Sequence, residues 1–183
     1  MKVYFVRHGQ THSNKLGRVM SRSNDESLSE EGLFHVKKVV QEKVNELDYD
    51  IVFTSPLKRA FETAKEFAVY KNVPLHHHND ILELEFGKLS NKTWEEINII
   101  SKGKLNYNIW KNVIGVDLSP YEGESKVTAI ERIKNFINYL KNHHPNSKPL
   151  VVTHGGVLRT LNGLYPEYVS DGFKNVSIHV FEL

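Results

Sequence analysis

Two histidines in this chain share one local setting. One lies in Val6-Arg7-His8-Gly9 and the other in Thr153-His154-Gly155-Gly156, each just past an apolar run and just before glycine. An imidazole can serve as nucleophile, base or acid near neutral pH. A glycine beside it lets the main chain approach a ligand, and a helix beginning there offers unpaired N–H groups to an anion. Gly155 is therefore a candidate anion contact next to His154. Arg7 ends its apolar run, where a guanidinium needs a partner or an anion. Arg59 comes soon after Ser55-Pro56, beyond another apolar run. Alone, each of these side chains would have an ordinary structural explanation. Together they point to a bound anion with chemistry at one imidazole.

For these groups to meet, the runs before them must be neighbouring strands, because ligands of open α/β sheets sit beyond the strands' carboxyl ends. Val3, Tyr4, Phe5 and Val6 are β-branched or aromatic without polar alternation, as in a buried strand. Residues 51–53 and 149–153 read the same way, and a shorter strand begins near Val73-Pro74-Leu75. Helices fall between them. Ser29 reads as an N-cap followed by Glu30 and Glu31, with Leu33, Val36, Val40, Val44 and Leu47 as the apolar face. Ser55 reads as the cap of a second helix, with Pro56 at its first position and Ala60, Phe61, Ala64, Phe67 and Ala68 buried. Thr93 to Glu96 has the form of a capping box. Ser125 opens a long helix with the face Val127, Ile130, Ile133, Ile137 and Leu140. Residues 15–28 and 79–92 read as irregular, and 101–123 is weakly patterned, with Tyr107 and Trp110 as anchors. Residues 176–183 alternate like an edge strand. Strands alternating with helices predict a three-layer α/β/α sandwich: a mostly parallel sheet with an antiparallel C-terminal edge strand. No repeat, low-complexity tract or linker interrupts the chain, so residues 1–183 read as a single domain.

Five motifs in order, Arg7-His8-Gly9-Gln10-Thr11 with Asn14, Ser55-Pro56-Leu57-x-Arg59-Ala60-x-x-Thr63-Ala64, Glu83-Leu84-x-Phe86-Gly87, Gly123-Glu124-Ser125 and Val152-Thr153-His154-Gly155-Gly156, resemble the histidine phosphatase superfamily. The resemblance runs over nearly the whole chain and implies a phosphoglycerate mutase-like fold. It implies that His8 attacks phosphorus and forms a phosphohistidine that water hydrolyses. Arg7, Asn14, Arg59, His154 and Gly155 would hold the phosphoryl oxygens, without a metal or cofactor. Thr11 and Arg22 would contact the rest of the substrate. Glu83 matches the family's general acid. Glu85, two residues on, is its competitor, since both point the same way if the segment is extended. The phosphohistidine would go to water in a phosphatase and back to a re-bound intermediate in a mutase. Mutases of this family carry an inserted segment with paired arginines, whereas residues 87–123 contain lysine but no arginine. That favours phosphatase over cofactor-dependent phosphoglycerate mutase. A regulatory binding module on the same fold is the remaining alternative, one that would not need the whole reactive set. Leu89-Ser90-Asn91 and Met20-Ser21-Arg22 depart from the family pattern, both in segments expected at the pocket mouth.

Composition narrows the rest. A net charge of +2 argues against a bulk nucleic-acid or membrane partner; the partner that the resemblance implies is a small phosphorylated metabolite. Absence of cysteine removes thiolate chemistry and fits a reducing compartment, and the apolar run at residues 3–6 is far short of a signal or membrane segment; a cytoplasmic location is expected. Asp48-Tyr49-Asp50 resembles an aspartyl-phosphatase pattern, but it precedes its strand and so lies at the wrong sheet edge. His76, His77 and His78 cannot all converge from one strand, and His143-His144 suits a helix C-terminus. The C-terminal edge strand could pair with a second copy to form a homodimer.

Overall fold

The computed structural model describes residues 1–112, 116–166 and 172–183. Five strands, β1 (Lys2–Arg7), β2 (Ile51–Thr54), β3 (Leu75–His77), β4 (Pro149–Thr153) and β5 (Ile178–Glu182), form one sheet in the order β3-β2-β4-β1-β5. β1, β2, β3 and β4 run parallel, and β5 joins β1 antiparallel at the edge. The helices are α1 (His12–Lys15), α2 (Glu30–Lys43), α3 (Lys58–Lys71), α4 (Trp94–Ile100), α5 (Tyr107–Asn112), α6 (Lys126–His143) and α7 (Gly155–Leu164).

Strand alternation sorts the core onto two faces. Tyr4, Val6, Val52, Leu150 and Val152 pack with Val36 and Val40 of α2 and Ala60, Ala64 and Phe67 of α3. Val3, Phe5, Phe53 and Val151 pack with Ile133, Phe136 and Leu140 of α6 and Leu158 and Leu161 of α7. The expected three layers are therefore present. A third apolar cluster joins Val19, Phe86, Leu89, Ile97, Leu105, Trp110 and Leu118, and builds a wall from the stretches that show no sequence period.

Several local expectations differ from the fold. Leu57, not Ser55, is the residue preceding α3, and the Ser55 hydroxyl is turned towards His154 instead. On α6, Val127 is 64% exposed, while Ala129 and Phe136 join Ile133, Ile137 and Leu140 inside. Val127 precedes Ala129 by two residues, roughly 200° of helical rotation away from the buried stripe. Phe61 is half-buried against the His77 ring, and Tyr107 is half-exposed while Trp110 is buried. His76 and His78 lie against Phe53 and Phe136 respectively, each histidine serving a different aromatic neighbour. The capping boxes at Thr11 and Thr93 and the hydroxyl caps at Ser29 and Ser125 form as side chain to N–H bonds.

Candidate active site

Register brings the two histidine motifs together. Arg7 of β1 is the direct partner of Thr153 of β4, so the residues just beyond both strands are side by side. The His8 N–H donates to the Thr153 carbonyl at 2.9 Å, and the rings of His8 and His154 stand 5.1 Å apart. Both histidines are buried.

The His8 Nδ1 lies 2.7 Å from the Gly9 carbonyl. A carbonyl only accepts, so Nδ1 carries the proton and the Nε2 lone pair is free. Burial, then Arg59, then Arg7 hold the His8 imidazole well below its ordinary pKa, against the opposing Gly9 hydrogen bond. It is therefore neutral at pH 7 and nucleophilic at Nε2. Ser55 sets the complementary state in His154. Its hydroxyl accepts from the Leu57 N–H at 3.3 Å and lies 2.8 Å from His154 Nε2, to which it can donate. When the hydroxyl donates there, the ring proton sits on His154 Nδ1, a buried atom with no partner among the described residues.

Further buried donors are left unmet among the described residues. Arg7 Nη1 donates to the Phe173 carbonyl at 2.6 Å, but its Nε is unpartnered. Arg59 is fully buried; its Nη2 donates to the Ser21 carbonyl at 3.2 Å, while Nε and Nη1 lack hydrogen bonds and Nη1 is 3.5 Å from Asp25. Burial lowers the pKa of Arg7 to about 10, and lowers that of Arg59 also. An unmet buried donor costs about 1–3 kcal/mol, and more when charged. Arg59 and Arg7 are both close enough to His8 to hold down its pKa, so these cationic donors stand near one imidazole. A Cβ at Gly155 would sit 3.5 Å from Arg7 Nε, so glycine leaves that donor uncovered. Asn14 Oδ1 accepts from the Thr11 N–H and from Asn175 Nδ2, both at 3.3 Å, which leaves the Asn14 amide hydrogens for a ligand.

Geometry separates the two candidate acids. Glu83 is buried at the cleft wall, accepting from the N–H groups of Leu84 at 2.9 Å and Gly156 at 3.1 Å. Burial raises its pKa despite those bonds and the nearby Arg59 and Arg7. Burial also pushes the Glu85 carboxyl up, but hydrogen bonds from Ser21, the Gly87 N–H and Ser23 outweigh it and leave the pKa lowered. Glu85 thus fastens a loop as a carboxylate, outside the cleft. Gly156 is tied to the acid's position, since a Cβ there would fall 2.4 Å from Glu83 Oε1 and 2.8 Å from Leu84 Cγ. Gly156→Ala is expected to fold, given alanine's helix preference, yet to lower kcat/KM about 10²-fold by displacing the carboxyl. Steady-state kinetics beside a thermal melt would check this, and unchanged kcat/KM would refute it.

The cleft has a volume of about 530 Å³, and its wall includes Arg7, His8, Asn14, Glu83 and Gly155. Arg59 and His154 lie in the layer behind. Two of the expected substrate contacts are not among the residues of the cleft wall. Thr11 is fully buried outside the cleft lining, capping α1 and donating to Met20 Sδ at 2.9 Å. Arg22 is also outside it, with Nη2 2.7 Å from Glu124 Oε2 and Nε donating to the Glu83 carbonyl at 3.2 Å. In their place the cleft has Arg159, Lys174 and Asn175, with Trp94, Trp110 and Phe173 as an aromatic wall. Asn175 Nδ2 donates to the His8 carbonyl at 2.9 Å, and the turn after it needs Val176 at φ +61°, a strained value for a β-branched residue. The Arg159 guanidinium faces the Phe173 ring at 5.5 Å and the Trp110 ring at 5.8 Å. Its position four residues after Gly155, one helical turn along the same face, was a usable sequence signal. Nothing local marked Asn175.

The sheet, with His8 and His154 side by side beyond its parallel strand ends and Arg7 and Arg59 near them, has the phosphoglycerate mutase-like fold. Residues 3–182 match the histidine phosphatase superfamily (branch 1), and the chain belongs to that family. It is 30% identical over 166 residues to phosphoserine phosphatase 1 of Hydrogenobacter thermophilus, covering 88% of this chain and 74% of that protein. The metal-independent phosphoserine phosphatase of Arabidopsis thaliana is 28% identical over 184 residues, covering 100% of this chain and 76% of that one. Among solved structures, a mycobacterial glucosyl-3-phosphoglycerate phosphatase in complex with VO3 superposes with a TM-score of 0.83 at 22% identity, covering 99% of this chain and 90% of that one. The chain is accordingly a phosphoric monoester hydrolase of the histidine phosphatase type.

Proposed function

We propose that this enzyme hydrolyses a small phosphomonoester bearing a second acidic group, through a phosphohistidine on His8. The observation that carries the reading is the set of buried Arg7, Arg59 and His154 donors that have no partner among the described residues, beside an imidazole with a free Nε2. His8 Nε2 attacks phosphorus, the P–O bond to the leaving group breaks, and Glu83 gives that oxygen its proton. Glu83, now a carboxylate, then takes a proton from the water that attacks the phosphohistidine, which releases inorganic phosphate and restores both groups. Arg7, Arg59, Asn14 and the His154 Nδ1–H meet the charge on the equatorial oxygens throughout. These cations supply the neutralisation, so the scheme calls on no metal and no cofactor.

Arg159 and Lys174 support the second acidic group. They stand in the same cleft as the phosphate site, beside an aromatic wall, and among the described residues no carboxylate is hydrogen-bonded to the Arg159 guanidinium. A phosphorylated hydroxy or amino acid meets that description, and the phosphoserine phosphatases among the relatives are named for one. The test is kcat/KM across O-phosphoserine, 3-phosphoglycerate, p-nitrophenyl phosphate and neutral sugar phosphates. Activity should survive EDTA and be inhibited by vanadate, with acidic monoesters favoured at least tenfold over neutral ones. Isomerisation of 3-phosphoglycerate in the presence of its bisphosphate, without release of phosphate, would establish a mutase instead.

The pH profile follows from the shifts. His8 must be neutral and its pKa is depressed, so protonation costs activity only well below pH 6.5. Glu83 must be protonated and its pKa is raised, so activity falls as pH climbs through a value above 4.5. A bell with its optimum on the acid side of neutrality is expected. Glu83→Gln should remove the alkaline limb, and a limb that persisted would instead belong to the substrate's second ionisation.

A further inference from the structure

We propose that Glu124, Arg132 and Arg22 form a clamp that positions Glu83 for proton donation, a role that rests on the reading of Glu83 as general acid. Residues 82–85 belong to no helix or strand, so their carbonyls have no ladder to join. Side chains from distant parts of the chain supply the partners. Arg132 Nη1 donates to the carbonyls of both Asp80 and Leu82 at 2.7 Å, and the Thr153 hydroxyl donates to that of Ile81 at 2.8 Å. Arg22 Nε donates to the Glu83 carbonyl at 3.2 Å, and the Glu124 N–H donates to that of Glu85 at 2.7 Å.

One carboxylate joins the two guanidiniums. Arg132 Nε and Nη2 grip Glu124 Oε1 and Oε2 at 2.7 and 2.9 Å, and Arg22 Nη2 stands 2.7 Å from Oε2. The Glu124 side chain is 5% exposed and that of Arg132 11%. Buried charge of this kind is costly to keep unless its geometry is good, and breaking it strands the remaining partner. Burial pushes the Glu124 carboxyl up, but Arg132 and then Arg22 bring it below its ordinary value, so it stays charged. Arg132 divides its planar fork between the carboxylate and two carbonyls, a task the point charge of lysine cannot perform.

None of the three lines the cleft, so their route to the chemistry is through the main chain on either side of Glu83. They are positioning residues. Their loss should be felt where a proton is needed and little elsewhere. A leaving group as weakly basic as 2,4-dinitrophenolate departs without protonation, whereas phenolate does not.

The test is the dependence of kcat/KM on leaving-group basicity for 2,4-dinitrophenyl, 4-nitrophenyl and phenyl phosphates, in wild type, Glu124→Gln, Arg132→Lys and Glu83→Gln. For Glu124→Gln and Arg132→Lys, phenyl phosphate should lose about 10–100-fold and the dinitrophenyl ester less than about threefold, with vanadate inhibition unchanged. Equal losses on all esters, or weakened vanadate binding, would make the cluster a general scaffold and overturn the proposal. It would also be overturned if Glu83→Gln steepened the dependence and the clamp variants did not. If Glu83→Gln left the dependence unchanged, the general-acid assignment itself would fall, and the clamp with it.

Discussion

His8→Ala is expected to reduce turnover of p-nitrophenyl phosphate by about 10⁴-fold or more and to leave no acid-labile phosphoenzyme. The expectation follows from a geometry in which one nitrogen is committed and the other is not. The Nδ1–H donates a hydrogen bond to the Gly9 carbonyl, so Nε2 alone is available to bond with phosphorus. The desolvated site between Arg59 and Arg7 keeps the ring neutral, so nearly every molecule is reactive at pH 7. Water has no such placement, and alanine offers no substitute nucleophile. Rapid quenching with labelled substrate would detect the phosphohistidine in wild type and its absence in the variant. A labelled intermediate in His8→Ala, or comparable rates, would remove His8 from the nucleophile's role.

Arg59→Met is expected to lower kcat/KM about 10³-fold while leaving the melting temperature of the ligand-free protein unchanged or raised. The two effects oppose each other for one reason. Among the described residues, the fully buried Arg59 has unmet donors at Nε and Nη1 and gains only a 3.2 Å bond to Ser21 and a 3.5 Å approach to Asp25. In the empty protein it is a charge held out of water with incomplete compensation, and an apolar side chain of similar length removes that cost. With a phosphoryl group bound, the same donors face developing charge in a medium that screens it poorly. A single guanidinium placed in that way contributes about 10³–10⁵ in rate. Kinetics and calorimetry on one preparation would decide. A destabilised variant of undiminished activity would show that Arg59 serves the fold and not the anion.

Much of the fold was legible because each strand carries its own signature. Residues 3–6, 51–53 and 150–152 are apolar throughout, as strands covered on both faces must be, and the helices between them show caps and stripes. Misreadings occurred where one position can serve two ends. Ser55 has the chemistry of a helix cap, but its hydroxyl is drawn to His154, which the sequence places 99 residues away. Val127 has the right spacing from Ile130 for a buried stripe, yet burial on α6 begins at Ala129 and the part that meets the sheet begins at Ile133.

The sequence by itself determined that Arg7, His8, Arg59 and His154 lie at the carboxyl edge of one parallel sheet. Each ends a strand or follows one within a few residues, and parallel strands end on the same side. Tertiary structure alone decided the order β2-β4-β1, which makes Arg7 and Thr153 direct partners and sets the two rings 5.1 Å apart. It also decided that Arg159 and Asn175 enter the cleft, that Thr11 and Arg22 do not, and that Glu83 rather than Glu85 faces it. These depend on irregular segments whose main-chain groups find partners far along the chain, and no local period encodes such partners.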